Sequence, residues 1–424
     1  LKIDNLADVV SHLRTLLPQY LEKHGVDSSK RFKCINPAHV EDTPSSILNP
    51  KTGYTQGHCF GCGVSFDIFT AAHWIEGLPA DGASWVTETV PELAAQMKIK
   101  LDYVEPSDEE KERLGVYKAY SDTAKYVAND KTGVWTKDVE QYISDHRWDK
   151  KFLGTIGVGV AEEDEYIAWM MTIGYTVDYL VDIQLLPPRG SSDHHTPQIL
   201  ANNQLVFTIN DEMGRPCGFG ARRFEGTRKF VNTGRTGEYD VYQKSKRLYN
   251  LDVAKKLART GKTLWVLEGY GDVISARAKS VDNVAAMCGT ALTLEQLLTI
   301  SRCGIHDIVL CYDFDDAGQN SCQRVIENIL PDTTDLRVRI ATPLDGNDWG
   351  KDPGDIIEEQ GVSGLLGLPL VSAFDWLLER ALKEKGSDPA NVVMKLVPVI
   401  ASEPNAVIRD TQTNALVDKT GIAK

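Results

Sequence analysis

The sequence predicts a multidomain α/β protein: a small metal-centred module, a mixed α/β region rich in basic residues, a parallel sheet with flanking helices, and a helical end. Three observations predict it. Cys34, Cys59 and Cys62 cluster near the N-terminus, apolar strands and helices alternate regularly from about residue 262 to 342, and only helix patterns follow Val371. The 424 residues exceed what one hydrophobic core usually organises, so about two to four domains are expected.

Composition narrows the class. Apolar residues at 42% and charged residues at 25% are ordinary for a folded chain. There is no apolar run of about eighteen residues, so no membrane span is expected. The sequence opens at Leu1 without a signal-peptide pattern, which predicts a cytoplasmic protein. Cys217, Cys288, Cys303, Cys311 and Cys322 are scattered, as core thiols in a reducing compartment would be.

Residues 1–104 carry a helix pattern (Leu6, Val9, Val10, Leu13, Leu16, Leu17), a Gly-, Pro- and Cys-rich stretch, and a second helix from Ile68 to Trp74. The acidic segment 105–112 reads as a linker. Residues 113–250 read as helical to about 160, then as short strands at Glu165 to Tyr175 and Gln204 to Asn210, with a glycine-rich turn at Cys217 to Gly220. Within 251–365, strands are expected at Thr263 to Glu268, Asn283 to Met287, Asp307 to Asp313 and Leu336 to Ala341. Helices are expected at Asp272 to Lys279, Thr293 to Arg302 and Asp316 to Leu330. Residues 366–424 form the helical end.

The first chemical motif is Cys59-Phe60-Gly61-Cys62 with Cys34 and His39 upstream. Four soft or borderline donors in two pairs can close a tetrahedral site, and zinc is the natural occupant. A lone redox pair is the bland reading, but no thioredoxin-like βαβ pattern surrounds it. His58 is the alternative to His39; as Cys59's neighbour it would strain a shared centre, so His39 is preferred. Tyr54, His58, Phe60, Phe66, Lys33 and Lys51 surround the knuckle and could either grip single-stranded nucleic acid or pack the module.

The second motif is acidic. The strand Thr263 to Glu268 runs into Glu268-Gly-Tyr-Gly-Asp272, and the strand Asp307 to Asp313 runs into Asp313-Phe-Asp315-Asp-Ala-Gly318. Both groups then stand at the C-terminal edge of one parallel sheet, where open α/β sheets bind ligands. Asp352-Pro353-Gly354-Asp355 follows the next strand. Converging carboxylates repel unless cations neutralise them, and hard divalent ions, Mg²⁺ or Mn²⁺, suit oxygen donors. Two or more such ions would support phosphoryl transfer. Capped, solvated turns are the bland reading of each element taken alone.

A basic strip precedes the acidic sheet. Thirteen Lys and Arg lie between Arg215 and Lys262 against four acids, in a chain whose formal net charge is −14. Separated basic and acidic walls could hold a polyanion between them.

On these residues the chain resembles the bacterial replicative primases of the DnaG type. Cys34, His39 and Cys59-Phe-Gly-Cys62 are similar to that family's zinc ribbon. Gly218-Phe-Gly-Ala-Arg222, Arg228-Lys-Phe-Val-Asn232 and Lys244-Ser-Lys-Arg-Leu-Tyr249 resemble the basic motif of its polymerase core. Glu268 to Asp272 and Asp313 to Gly318 resemble its TOPRIM pair, and Gly350-Lys351-Asp352-Pro-Gly-Asp355 its last acidic motif, with Gly354 at the second acid.

The resemblance implies RNA primer synthesis on a single-stranded DNA template from ribonucleoside triphosphates. It implies Glu268, Asp313 and Asp315 as catalytic residues, and Glu268, Asp272, Asp313, Asp315, Asp352 and Asp355 as holders of catalytic Mg²⁺ or Mn²⁺. Cys34, His39, Cys59 and Cys62 would hold one structural zinc, and Arg222, Lys229, Asn232 and Lys244 would bind nucleotide or template. A replicative helicase and a single-stranded DNA-binding protein are the implied partners, at the replication fork. The family's helicase-binding domain has no counterpart in these residues, which implies either a sequence ending short of it or a phage or mobile-element version that recruits its helicase differently. The rival readings are another TOPRIM enzyme that cleaves DNA strands, and a non-catalytic nucleic-acid adaptor.

Overall fold

The computed structural model describes residues 2–80, 84–129, 131–187, 199–226, 228–234, 241–289, 291–328, 336–343, 352–384, 388–403 and 405–422. It divides into two compact units, one built on Leu1–Lys111 and the other on Glu112–Lys255, Thr263–Ser301 and Ile305–Lys424.

In the first unit, helices α1 (Leu6–Thr15), α2 (Leu17–Lys23), α3 (Ile68–Glu76) and α4 (Val90–Gln96) accompany an antiparallel sheet of β1 (Ser46–Leu48), β2 (Gly57–Cys59) and β3 (Ser65–Phe66). The apolar spacing read from Leu6 onward buries Val9, Leu13, Leu17 and Leu21 with Phe66 and Ile68. Asp67 starts α3 by accepting the N–H groups of Phe69 (3.1 Å) and Thr70 (3.0 Å).

The second unit begins in α5 (Asp108–Ala128), so the latter half of the segment expected as a linker is helical. Ser107 and Glu110 form a capping box. The Glu110 N–H donates to Ser107 Oγ (3.2 Å), and the Ser107 N–H to Glu110 Oε2 (3.1 Å). Short helices α6 (Lys137–Asp145) and α7 (Lys150–Thr155) and strand β4 (Val158–Gly159) follow.

Glu165 to Tyr175, expected as a strand, lies mostly in helix α8 (Glu163–Thr172). Glu162 caps it by accepting the Glu165 N–H at 2.6 Å, and Tyr166 and Met170, one turn apart, point into the core. A further short helix, α9 (Val177–Asp182), precedes β5 (Gln204–Asn210), which forms as expected.

Cys217 to Gly220, expected as a turn, lies inside strand β6 (Pro216–Arg223). Its glycines serve close packing. A Cβ on Gly218 would strike the Tyr242 ring, and one on Gly220 would meet Tyr270 at 3.1 Å. With β7 (Phe230–Asn232), these strands form an antiparallel sheet in the order β4-β5-β6-β7. Tyr120 of α5 stacks on Phe219 of β6, with ring centroids 5.6 Å apart.

The last sheet holds the regular alternation. Strands β8 (Leu248–Tyr249), β9 (Leu264–Leu267), β10 (Val284–Met287), β11 (Asp307–Cys311), β12 (Arg337–Ala341) and β13 (Leu370–Ser372) order as β13-β12-β11-β9-β10-β8. The four central strands are parallel, and the two edge strands run antiparallel. Helices α10 (Leu251–Arg259), α11 (Tyr270–Ala278), α12 (Leu294–Arg302), α13 (Asp316–Asn328) and α14 (Pro353–Leu366) alternate with them. The helical end is α15 (Ala373–Lys383), α16 (Pro389–Ser402) and α17 (Ala406–Thr420). Among the described residues no helix is long and apolar enough to cross a membrane.

Candidate active site and metal centre

Cys34, His39, Cys59 and Cys62 come together with all their ligand atoms within 4.8 Å of one another. Cys34 Sγ lies 3.9 Å from Cys62 Sγ, and His39 Nδ1 lies 3.6 Å from Cys59 Sγ. Sulfurs about 2.3 Å from a common zinc would stand about 3.8 Å apart, so a tetrahedral zinc fits. His58 turns away and bonds Ser65 Oγ at 3.0 Å. Burial pushes the Cys59 thiol up, but the Ser45 hydroxyl and the Cys62 N–H outweigh it and bring it down to about 5.

Sequence reading missed Glu41. Its Oε1 accepts the N–H groups of Cys34 (2.7 Å) and Ser45 (3.2 Å), its Oε2 accepts the Ser45 hydroxyl, and His39 Nε2 lies 3.8 Å from it. The carboxylate thereby braces the loop that carries two of the four ligands and faces the outer nitrogen of His39. The signal was its place two residues beyond a ligand. Around the knuckle, Phe66 is core, whereas Phe60 and Tyr54 are exposed, with the Arg31 guanidinium 5.5 Å from the Phe60 ring centre.

At the parallel-sheet edge the strands deliver their acids as expected. Glu268 directly follows β9, and Asp313 follows β11, its hydrogen-bonded neighbour. Asp272, in the first turn of α11, accepts the Gly269 N–H at 2.9 Å. Burial holds its carboxyl far above the usual range, and Asp352, Asp313 and Glu268 add to the shift. Burial pushes Asp313 up to about 7, helped by Glu268, Asp352, Asp315 and Asp355. Burial likewise raises Glu268 and Asp355.

Asp315 and Asp352 work as caps as well: Asp315 Oδ1 accepts the Gly318 N–H (2.8 Å), and Asp352 Oδ1 accepts the Asp355 N–H (2.7 Å). Among the described residues, the Cys/His group alone brings three or more such ligand atoms within 4.8 Å of one another, so the carboxylates form a looser array. Gly350 and Lys351 of the last acidic motif lie outside the described residues.

An all-oxygen donor set in which burial raises the carboxyl pKa values of Asp272, Asp313, Glu268 and Asp355 fits a hard divalent cation that would supply the missing counter-charge. Glu268 Oε2 agrees: it is buried and has no hydrogen-bond partner among the described residues.

The basic residues divide. Arg222 of β6 faces the rings of Tyr142, Phe224 and Phe230 at 5.4, 5.5 and 5.1 Å, and its Nε and Nη1 are buried without a hydrogen-bond partner among the described residues. Lys229 is exposed beside β7. Lys244 is half-buried beside Gly289, and burial lowers its ammonium pKa. Asn232 is held: its amide donates to the Cys288 carbonyl (2.8 Å), and its Oδ1 accepts the Tyr270 hydroxyl (2.6 Å). Arg215 pairs with Asp211 (2.7 Å) and Arg247 with Glu212 (2.7 Å), so two cations of the strip are neutralised within the fold. Arg235 lies outside the described residues.

Residues 123–255 match the family "DNA primase catalytic core, N-terminal domain", and residues 265–352 match "Toprim-like". The DNA primase of Clostridium acetobutylicum is 27% identical over 409 residues, which is 93% of this chain and 64% of that relative. Across both matched regions the chain is similar to the bacterial DnaG-type primases. It spans 61–64% of the length of the first three DNA primases it matches.

The DnaG-type fold is shared in solved structures. The Aquifex aeolicus primase, comprising zinc-binding and RNA polymerase domains, is similar with a TM-score of 0.59 at 22% identity, over 98% of this chain and 97% of that one. The RNA polymerase domain of Mycobacterium tuberculosis DnaG, in complex with a double-stranded DNA oligomer with a 6-nucleotide overhang, gives 0.58 at 23% identity, over 73% and 98%.

Proposed function

We propose that this chain is a DNA primase, synthesising short RNA on single-stranded DNA from ribonucleoside triphosphates. The observation that carries the reading is the join between the two sheets. Tyr270, two residues beyond Glu268, bonds Asn232 of β7, so the acidic edge adjoins the strands that present Arg222 and Lys229. The DNA in the similar mycobacterial structure supports a nucleic-acid template.

Arg222 and Lys229 draw the template or triphosphate phosphates to the β6–β7 face, and Lys244 offers an ammonium on the β10 side. Glu268, Asp313 and Asp315, with Asp272, Asp352 and Asp355, would hold two divalent cations. When bound, these supply Lewis acidity toward the attacking 3′-hydroxyl and the departing pyrophosphate. A cation held there would favour the ionised carboxylates of Asp272 and Asp313, and the strand ends fix where the reacting groups lie. Cys34, His39, Cys59 and Cys62 hold one structural zinc, with Phe60, Tyr54 and Arg31 available to stack on unpaired bases. A replicative helicase and a single-stranded DNA-binding protein are the partners at the fork, as the resemblance to DnaG primases suggests.

The test compares RNA synthesis on single-stranded DNA by the unchanged protein with Arg222→Ala and Lys244→Ala. The expected result is template-dependent product and a rise of roughly tenfold in the KM for template or nucleotide in the variants. Product that forms without template, or strand nicking instead of synthesis, would contradict it.

A further inference from the structure

Above the acidic edge, one turn into each of two helices, a second set of residues closes on itself. Ser275 stands three residues beyond Asp272 on α11, and Glu358 three beyond Asp355 on α14. Ser275 Oγ donates to Glu358 Oε1 at 3.0 Å, tying the helices side to side. His146, just past the end of α6, donates from Nδ1 to the same Glu358 oxygen at 2.7 Å. The His146 ring stacks on Trp148, with centroids 4.6 Å apart and planes 18° from parallel. Trp148 Nε1 donates back to Ser275 Oγ at 3.0 Å.

We propose that His146, Glu358, Ser275 and Trp148 form a positioning ring. It fixes the spacing between the helices that carry Asp272 and Asp352, and so sets the affinity of the acidic edge for a divalent cation. The physical case is one of repulsion. Asp272 Oδ1 and Asp352 Oδ1 lie 2.7 and 3.1 Å from the point where a Cβ on Gly354 would stand, so the two helices bring these carboxyls close together, and once ionised to hold a cation they would push their helices apart. The ring opposes that push with three hydrogen bonds and a ring stack, two of the bonds meeting on one carboxylate oxygen. His146 and Glu358 are also mostly shielded, their side chains 31% and 18% exposed, so water competes less for their hydrogen bond than it would at the surface. The four act as positioning residues, through the helices that carry the acids.

The inference rests on the reading of the edge as a cation site, and the test separates the two. Full-length, zinc-loaded protein is titrated with Mn²⁺, with the free ion followed by electron paramagnetic resonance, beside an Asp313→Ala control. His146→Phe keeps a ring for Trp148 and removes the donor; His146→Asn keeps a short N–H donor; Glu358→Ala removes the shared acceptor. The expected result is a Mn²⁺ dissociation constant raised about tenfold in His146→Phe and Glu358→Ala, and largely restored in His146→Asn. Thermal unfolding shows whether each variant is folded, and Ser275→Ala, a smaller change, decides if the others are not. Full-strength binding in folded His146→Phe and Glu358→Ala would overturn the ring alone. No binding in the unchanged protein beyond that of Asp313→Ala would overturn the cation reading and the ring with it.

Discussion

The Tyr270 hydroxyl donates to Asn232 Oδ1 at 2.6 Å, joining the helix that begins beside Glu268 to the outermost strand of the basic sheet. Tyr270 also stacks on Phe207, with centroids 5.0 Å apart and planes within 12°, so its ring is clamped while its oxygen reaches across. Removing the hydroxyl leaves Asn232 Oδ1 short of a partner, at a cost of about 1–3 kcal/mol. Tyr270→Phe should lower the unfolding midpoint by several degrees and raise the nucleotide KM more than it lowers kcat. Steady-state primer synthesis would show the split, and equal effects on both constants would contradict the linking role.

The titration of Asp313 predicts how stability depends on pH. Its ordinary value is 3.8, and the folded protein pushes it up to about 7. A folded value above the unfolded one means that the carboxyl's contribution is complete below about pH 4 and is lost as pH rises through about 7. Cation-free protein should therefore melt at a lower temperature at pH 8 than at pH 5. Asp313→Asn should flatten that difference, and Mg²⁺ should restore the unchanged protein at pH 8. Melting curves in chelator at the two pH values check it; identical pH dependence in the variant would count against the assignment.

Zinc removal should act on the first unit. Structural zinc contributes roughly 10–16 kcal/mol in comparable small modules, far more than so small a core can replace. Cys62→Ser should melt Leu1–Lys111 and leave the second unit folded, as hydrogen exchange would report. Glu41→Ala should keep the fold but release zinc to a chromogenic chelator about 10- to 100-fold more readily. Zinc affinity unchanged in Glu41→Ala would remove that residue from the centre.

Gly354 has little room. A Cβ there would stand 2.7 Å from Asp272 Oδ1 and 3.1 Å from Asp352 Oδ1, closer than side chains normally pack. Gly354→Ala should displace one of the two carboxylates and weaken Mn²⁺ binding at the acidic edge several-fold. Binding identical to the unchanged protein would show that neither carboxylate is held where the cation needs it.

The parallel sheet was legible because each central strand is a short apolar run followed by a helix, and because two strands end in acids. The Cys/His cluster was legible from spacing. What sequence reading missed depended on partners distant in the chain or on unusual local chemistry. Glu162 is an uncommon helix cap, so the apolar run after it looked like a strand. Gly218 and Gly220 looked like a turn because the rings that require them, Tyr242 and Tyr270, lie tens of residues away. The basic strip looked more uniform than it is because Asp211 and Glu212, which neutralise Arg215 and Arg247, stand just outside it.

Primer synthesis on mixed-sequence single-stranded DNA with labelled ribonucleotides and Mg²⁺ or Mn²⁺, beside Asp313→Ala, decides whether the acidic edge makes this protein a primase. Short labelled RNA that requires template and disappears in the variant is the expected result. Undiminished product in Asp313→Ala, or no product with either cation from zinc-loaded, folded protein, would contradict it.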